Sequence, residues 1–270
     1  MSDDIAADVT EAVRDVGGHP IVENGARVGY AVNGIVHLLI AWIAIQLALQ
    51  PSAPRKAEGQ ETVDQSGALA TLASSGLGKV TLLIAVGGFA LLALWQVTEA
   101  VIRRKTSVRL KSAAKGIVYA SLAWSAFAFV RGAGSSSSEQ TVDVTAELMN
   151  RPLGQVLVAI LGLVVLGIGG YHVYKGAKCR FLHDLREHPG QWAVFAGRYG
   201  YIAKGVALAL VAVVFLVAAW HGRADEATGL DGGLRILLDL PLGHLPLVLI
   251  ALGFAAYAVY SAARAKYARV

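Results

Sequence analysis

The sequence is poor in the residues on which most chemistry and most soluble folds rely. Of 270 residues one is cysteine, two are methionine and 16% are charged. A lone Cys179 excludes an intrachain disulfide framework and any zinc site built from cysteine pairs. Charge this sparse, with 55% hydrophobic residues and a mean hydropathy of +0.54, excludes an ordinary soluble domain. The chain shows no phosphate-cradling glycine loop, no nucleophile with a base beside it and no paired carboxylates, so it reads as non-enzymatic. The opening "MSDDIAADVTEAVRDVGGHP" lacks the basic start and apolar centre of a cleavable secretory leader. Ile5, Val9, Val13 and Val16 recur there at helical spacing, so 1–24 reads as a cytoplasmic tail with a short amphipathic helix from Ser2 to the Gly17-Gly18 pair.

What the sequence has in abundance is long apolar runs, at about 29–50, 80–102, 113–131, 153–176, 200–221 and 242–263. Each approaches the roughly 20 residues that cross the hydrocarbon as a helix. Their unbroken apolarity excludes a strand-built barrel, which alternates, and they lack the polar faces of soluble bundle helices. The expectation is an all-α integral membrane protein with six transmembrane helices.

Lysine and arginine set the orientation. Seven of the 24 fall in the connections after the first, third and fifth spans, which also hold ten of the 19 acidic residues. The basic excess therefore lies on the side of both termini, which is expected to be cytoplasmic. The densest basic stretch, Arg103 to Lys111, reads as a topology signal that also meets anionic lipid heads. Without an aromatic or helical recognition motif it does not read as a nucleic-acid site. The outer connections each end in a mildly apolar piece, from Gly67, Thr145 and Gly233, expected as short interfacial helices. Pro51 to Ser66 and the serines 135 to 138 have the composition of flexible linkers.

Three phrases repeat: "RVGYAVNG" from Arg27, "RLKSAAKG" from Arg109 and "RYGYIAKG" from Arg198. A second set of anchors agrees, because Gly78, Gly154 and Gly243 are each followed 17 residues later by an aromatic, Trp95, Tyr171 or Tyr260. The chain thus divides into helical hairpins at 25–106, 107–180 and 198–270, the last with a short basic tail, and a cytoplasmic connection at 181–197. Each hairpin starts and ends inside, so the copies are expected to share one topology in a pseudo-threefold arrangement.

These motifs resemble the bacterial domain-of-unknown-function 1206 family, which carries tandem two-helix units. Arg198, Gly200, Tyr201, Lys204 and Gly205 fit its first motif in full, and Pro241, Leu242 and Gly243 its second. Asn33 stands where lysine is usual, Leu77 has no proline before it, and Lys111-Ser112 replaces Gly-Tyr. The resemblance covers about 25 to 265 and implies a multi-pass protein of the bacterial inner membrane, with no activity attached.

Six polar positions fall in one layer, Asn33, Lys115 and Lys204 on the odd helices and Gln96, His172 and Ser261 on the even ones. With Arg27, Arg109 and Arg198 at the interface they form a candidate site for anionic lipid heads or small anions near the cytoplasmic face, with snorkelling of the lysines as the bland reading. Glu99, Lys175 and Arg264 lie one turn closer to the cytoplasm. As the one carboxylate within the expected spans, Glu99 is expected to pair with Lys115 across the basic turn. His172, Cys179, His183 and His188 lack a standard zinc spacing, and His37 and His172 differ in depth as haem ligands, so no metal or cofactor is expected. His37 reads as a capped polar side chain within the bundle. Function narrows to a lipid- or anion-binding protein, with transport as the related role, or to an accessory subunit of a larger membrane complex.

The charge asymmetry makes one checkable prediction. In intact cells a cysteine placed at Ser136 should react with a membrane-impermeant thiol reagent while Cys179 should not; labelling of Cys179 from outside would overturn the orientation.

Overall fold

The computed structural model describes Val13 and residues 19–49, 62–103 and 105–269. The expected N-terminal amphipathic helix, Val13 apart, and most of the linker from Pro51 lie outside them. The described residues are helical: α1 Pro20–Leu49, α2 Gln65–Ala73, α3 Gly76–Ile102, α4 Thr106–Val130, α5 Ser137–Met149, α6 Gly154–Ala177, α7 Gln191–His221, α8 Gly229–Arg235 and α9 His244–Tyr267. Six of these, α1, α3, α4, α6, α7 and α9, are long and apolar enough to cross a membrane. The three short helices, α2, α5 and α8, follow α1, α4 and α7.

Local chemistry sets the ends. Ser75 caps α3 by accepting from the Gly78 amide, and Ser136 caps α5 by accepting from that of Glu139. Gly222 ends α7 in the left-handed conformation at φ 67°. The Pro-Leu-Gly motif has a backbone cause: Leu153 and Leu242 take φ 62° and 60°, a left-handed turn that restarts the chain as a helix.

The described residues form two compact units. The first comprises Met1–Asn33, Leu72–Gly134 and Ser261–Val270. In it α3 packs along α4 through the short basic turn. The α1 backbone lies against α3, since a side chain on Gly29 would come within 2.5 Å of the Gly88 carbonyl. Its core joins Ala26, Tyr30, Leu92 and Ala268.

The second unit comprises Gly34–Thr71 and Ser135–Tyr260. In it α6 packs along α7 through Gly162, Gly169 and Gly176, one glycine every seven residues on a single face. At the tightest point an added Cβ on Gly205 would lie 2.6 Å from the Gly169 carbonyl, so the last residue of the "RYGYIAKG" phrase is a backbone-on-backbone contact. The glycine-rich stretch of the fourth span is therefore a packing surface in a continuous helix rather than a break.

Two linker expectations are corrected. Ser137 and Ser138 open α5, and Ser136 caps it. Thr62 to Ser66 is part of the second unit, with Val63, Asp64 and Ser66 buried, because each finds a hydrogen-bond partner there.

Close approach at Gly205 predicts that Gly205→Val destabilises by about 1 to 3 kcal/mol. Gly116→Ala, whose added Cβ meets only ordinary contacts beyond 3.4 Å, should change thermal unfolding in lipid nanodiscs far less.

Candidate functional site

Arginine opens each repeated phrase, and two of the three do the same work. Arg27 donates to the Lys266 carbonyl at 2.6 Å, in the last turn of α9, and Arg109 donates to the Ala100 carbonyl at 3.0 Å, in the last turn of α3. Each neutralises the negative end of a helix whose last carbonyls lack intrahelical partners. Arg198 is exposed. Both oxygens of Glu99 are taken by Arg103, at 2.7 and 3.2 Å. Glu99 thus pairs not with Lys115, as expected, but with Arg103, the residue that follows α3 four positions on; Lys115 itself is exposed on α4.

The remaining expected site residues separate. Asn33, Gln96 and Ser261 are buried in the first unit, where the Gln96 amide nitrogen has no hydrogen-bond partner and Arg264 lies 4.1 Å over the Tyr30 ring. In the second, His172 shares a hydrogen bond with the Ile168 carbonyl of its own helix, and Lys175 is bound to Asp184 at 2.6 Å over the face of Tyr201. Among the described residues no cluster of His, Cys, Asp or Glu is arranged to hold a metal ion.

Lys204 goes elsewhere. It is the fourteenth of 31 residues in α7, about 20 Å along the axis from the helix start, so its stem does not reach either end. Its Nζ lies 3.2 Å from His37 Nε2 and 4.6 Å from the centre of the Tyr257 ring. Gly200 makes the second contact possible: a Cβ there would sit 2.6 Å from the Tyr257 Cα, so its absence brings α9 against α7 and the tyrosine face under the ammonium. His37 is 3% exposed and packs between Tyr257 and Phe254.

Above this pair is a cavity of about 250 Å³ within the second unit, with Lys204 and His37 in its wall. Ile40, Leu208, Val211 and Phe254 supply an apolar lining, and Asp64, Ser138 and Thr141 line it from the connections. None of Gln96, His172 and Ser261 borders it, so the inward-facing lysine opens into a different pocket from the one expected. The sequence signal was present but misread. His37 lies four residues deeper than Lys204 in repeat position, about 6 Å, which is within the reach of a lysine stem.

The cover of the cavity is a hydrogen-bonded knot. Asp64 Oδ1 accepts from Thr62 Oγ1, Ser66 Oγ and the Gly67 amide at 2.9, 2.5 and 3.0 Å, capping α2. Ser66 Oγ in turn accepts from the Ser137 amide at the start of α5. Asp231 on α8 accepts from the Val63 amide at 2.8 Å and from Arg235 Nε on both oxygens, at 3.0 and 2.9 Å. The connections after α1, α4 and α7 are thereby joined to one another.

The family described as Domain of Unknown Function (DUF1206) matches three separate segments, 28–103, 110–178 and 199–268. The chain belongs to this family. Each match begins one residue after Arg27, Arg109 or Arg198, the register of the repeated phrases. Uncharacterized protein YxxB of Bacillus subtilis (strain 168) is 28% identical, over 92% of both chains. No solved structure matches. Within this DUF1206 protein the third copy, the fullest match to the motif, is the one whose lysine borders the cavity.

Burial of the Asp231–Arg235 pair predicts that Asp231→Ala, which removes the acceptor of both Arg235 Nε and the buried Val63 amide, costs about 3 kcal/mol or more. Arg151→Ala, which removes an exposed pair with Glu147, should stay within about 0.5 kcal/mol in the same denaturation assay.

Proposed function

We propose that this is a non-enzymatic protein of the bacterial cytoplasmic membrane, both termini cytoplasmic and its short helices near the outer headgroups, that binds a small amphipathic organic anion in the cavity beside Lys204. One observation carries the reading: the ammonium is met by an imidazole and an aromatic face, and no described carboxylate lies within ion-pair distance of it. Asp64 borders the same cavity, but one of its oxygens already takes three hydrogen bonds at a helix start, so its charge is answered locally. The Lys204 charge is left for a ligand, in surroundings of low dielectric where a charge-assisted bond is strong.

The cavity accommodates a charged head at Lys204 with a short apolar body along Ile40, Leu208 and Val211. At about 250 Å³ it is far smaller than a two-chain phospholipid, which favours a small anion over the inner-leaflet lipid heads suggested by the basic layer. A site this far along an apolar helix suits carriage of the anion across the membrane.

Hexanesulfonate is the probe, with hexyltrimethylammonium as its cationic counterpart and inorganic phosphate as a bare anion. In nanodiscs hexanesulfonate alone should raise the unfolding temperature, and Lys204→Met should weaken its binding by roughly 10- to 100-fold, the worth of a charged hydrogen bond. Equal binding to the Lys204→Met variant, or equal stabilisation by the cation, would reject the proposal.

A further inference from the structure

We propose that His37 is a proton-binding site coupled to the anion site, so that one proton is taken up with each anion. The inference rests on the reading of Lys204 just given. At 3.2 Å from Lys204 Nζ to His37 Nε2, one of the two nitrogens must present a lone pair to the other. The hydrogen-bonded pair therefore carries at most one positive charge, and it carries one when the ammonium donates to a neutral imidazole. A second proton occupies that lone pair, breaks the hydrogen bond and sets imidazolium beside ammonium in a largely apolar cavity.

The charged group hydrogen-bonded to the imidazole is itself a cation. Lys204 faces the imidazole from α7, and Tyr257 and Phe254 face it from α9 through their rings, while Asp64, on the cavity wall, is committed to the cap of α2. With the cavity empty, two adjacent cations repel. A bound anion supplies the missing counter-charge, and the released ammonium can turn toward it. Anion and proton therefore favour each other's binding, and by linkage the effect is reciprocal. The proton comes from solvent and goes to Nε2, no covalent bond to the anion forms, and the loaded site has gained no net charge. Such a site carries a monovalent anion without moving charge, in the manner of a proton–anion cotransporter.

Hexanesulfonate remains ionised throughout the titration range of histidine, so any pH dependence of its binding belongs to the protein. Calorimetry on the full chain in nanodiscs, from about pH 5.5 to 8, should show affinity rising as pH falls, by up to about tenfold per pH unit. Titrations in buffers of different ionisation enthalpy should show uptake approaching one proton per anion. His37→Gln should still bind hexanesulfonate, with neither pH dependence nor proton uptake. Wild-type affinity that is flat with pH, a wild-type proton count of zero, or a slope that survives in His37→Gln would each overturn the coupling while leaving the anion site in place. Failure of hexanesulfonate to bind at any pH would overturn the anion reading beneath it. The wild-type proton count decides the matter even if His37→Gln does not fold.

Discussion

An ammonium in the middle of an apolar helix must be answered by something, and much of the second unit is arranged around how Lys204 is answered. Lysine at the end of a membrane helix reaches water along its stem; Lys204, the fourteenth residue of 31 in α7, turns instead to partners within the unit. Gly200 brings Tyr257 close enough to lend its ring face, and α1 contributes His37 as a hydrogen-bond partner. Gly205, next in sequence, lets α7 lie against the α6 backbone. The Gly-Tyr and Lys-Gly parts of the motif are thus two close approaches with a charge between them.

Compensation at the other end of the cavity is complete in a way that it is not at Lys204. Asp64 and Asp231 are buried carboxylates, each with several donors, and between them they tie together the connections following three different spans. Acidic residues at helix starts are favoured by the helix dipole as well as by capping bonds, so these charges stabilise the cover without reaching for a ligand. The contrast between a satisfied carboxylate and an ammonium that pairs with no described carboxylate gives the cavity its polarity.

The three copies share a register but not a task. Arg27 and Arg109 both bind the carbonyls ending an even helix, a structural duty inherited by position. The residue six places later has diverged: Asn33 is buried, Lys115 is exposed, and Lys204 alone of the three borders the cavity.

By itself the sequence determined the class of molecule. Apolar runs of membrane-crossing length and the repeat marked by Arg27, Arg109 and Arg198 are legible, since length, periodicity and spacing act locally along the chain. It also marked Lys204 as a charge in need of an explanation. What it did not hold was the partner of each charge. Glu99 was matched to Lys115 by depth, and the fold gave it Arg103, because a residue four positions on outcompetes a neighbour across a turn. Lys204 was placed in a shallow layer, and the fold joined it to His37, 167 positions away. The serine run read as a linker because composition reports solvation preference, not capping geometry. Which helices meet, which side chains then lie within 3 Å or so, and where a cavity is left between them follow from backbone contacts at single glycines, and those exist only once the chain has folded.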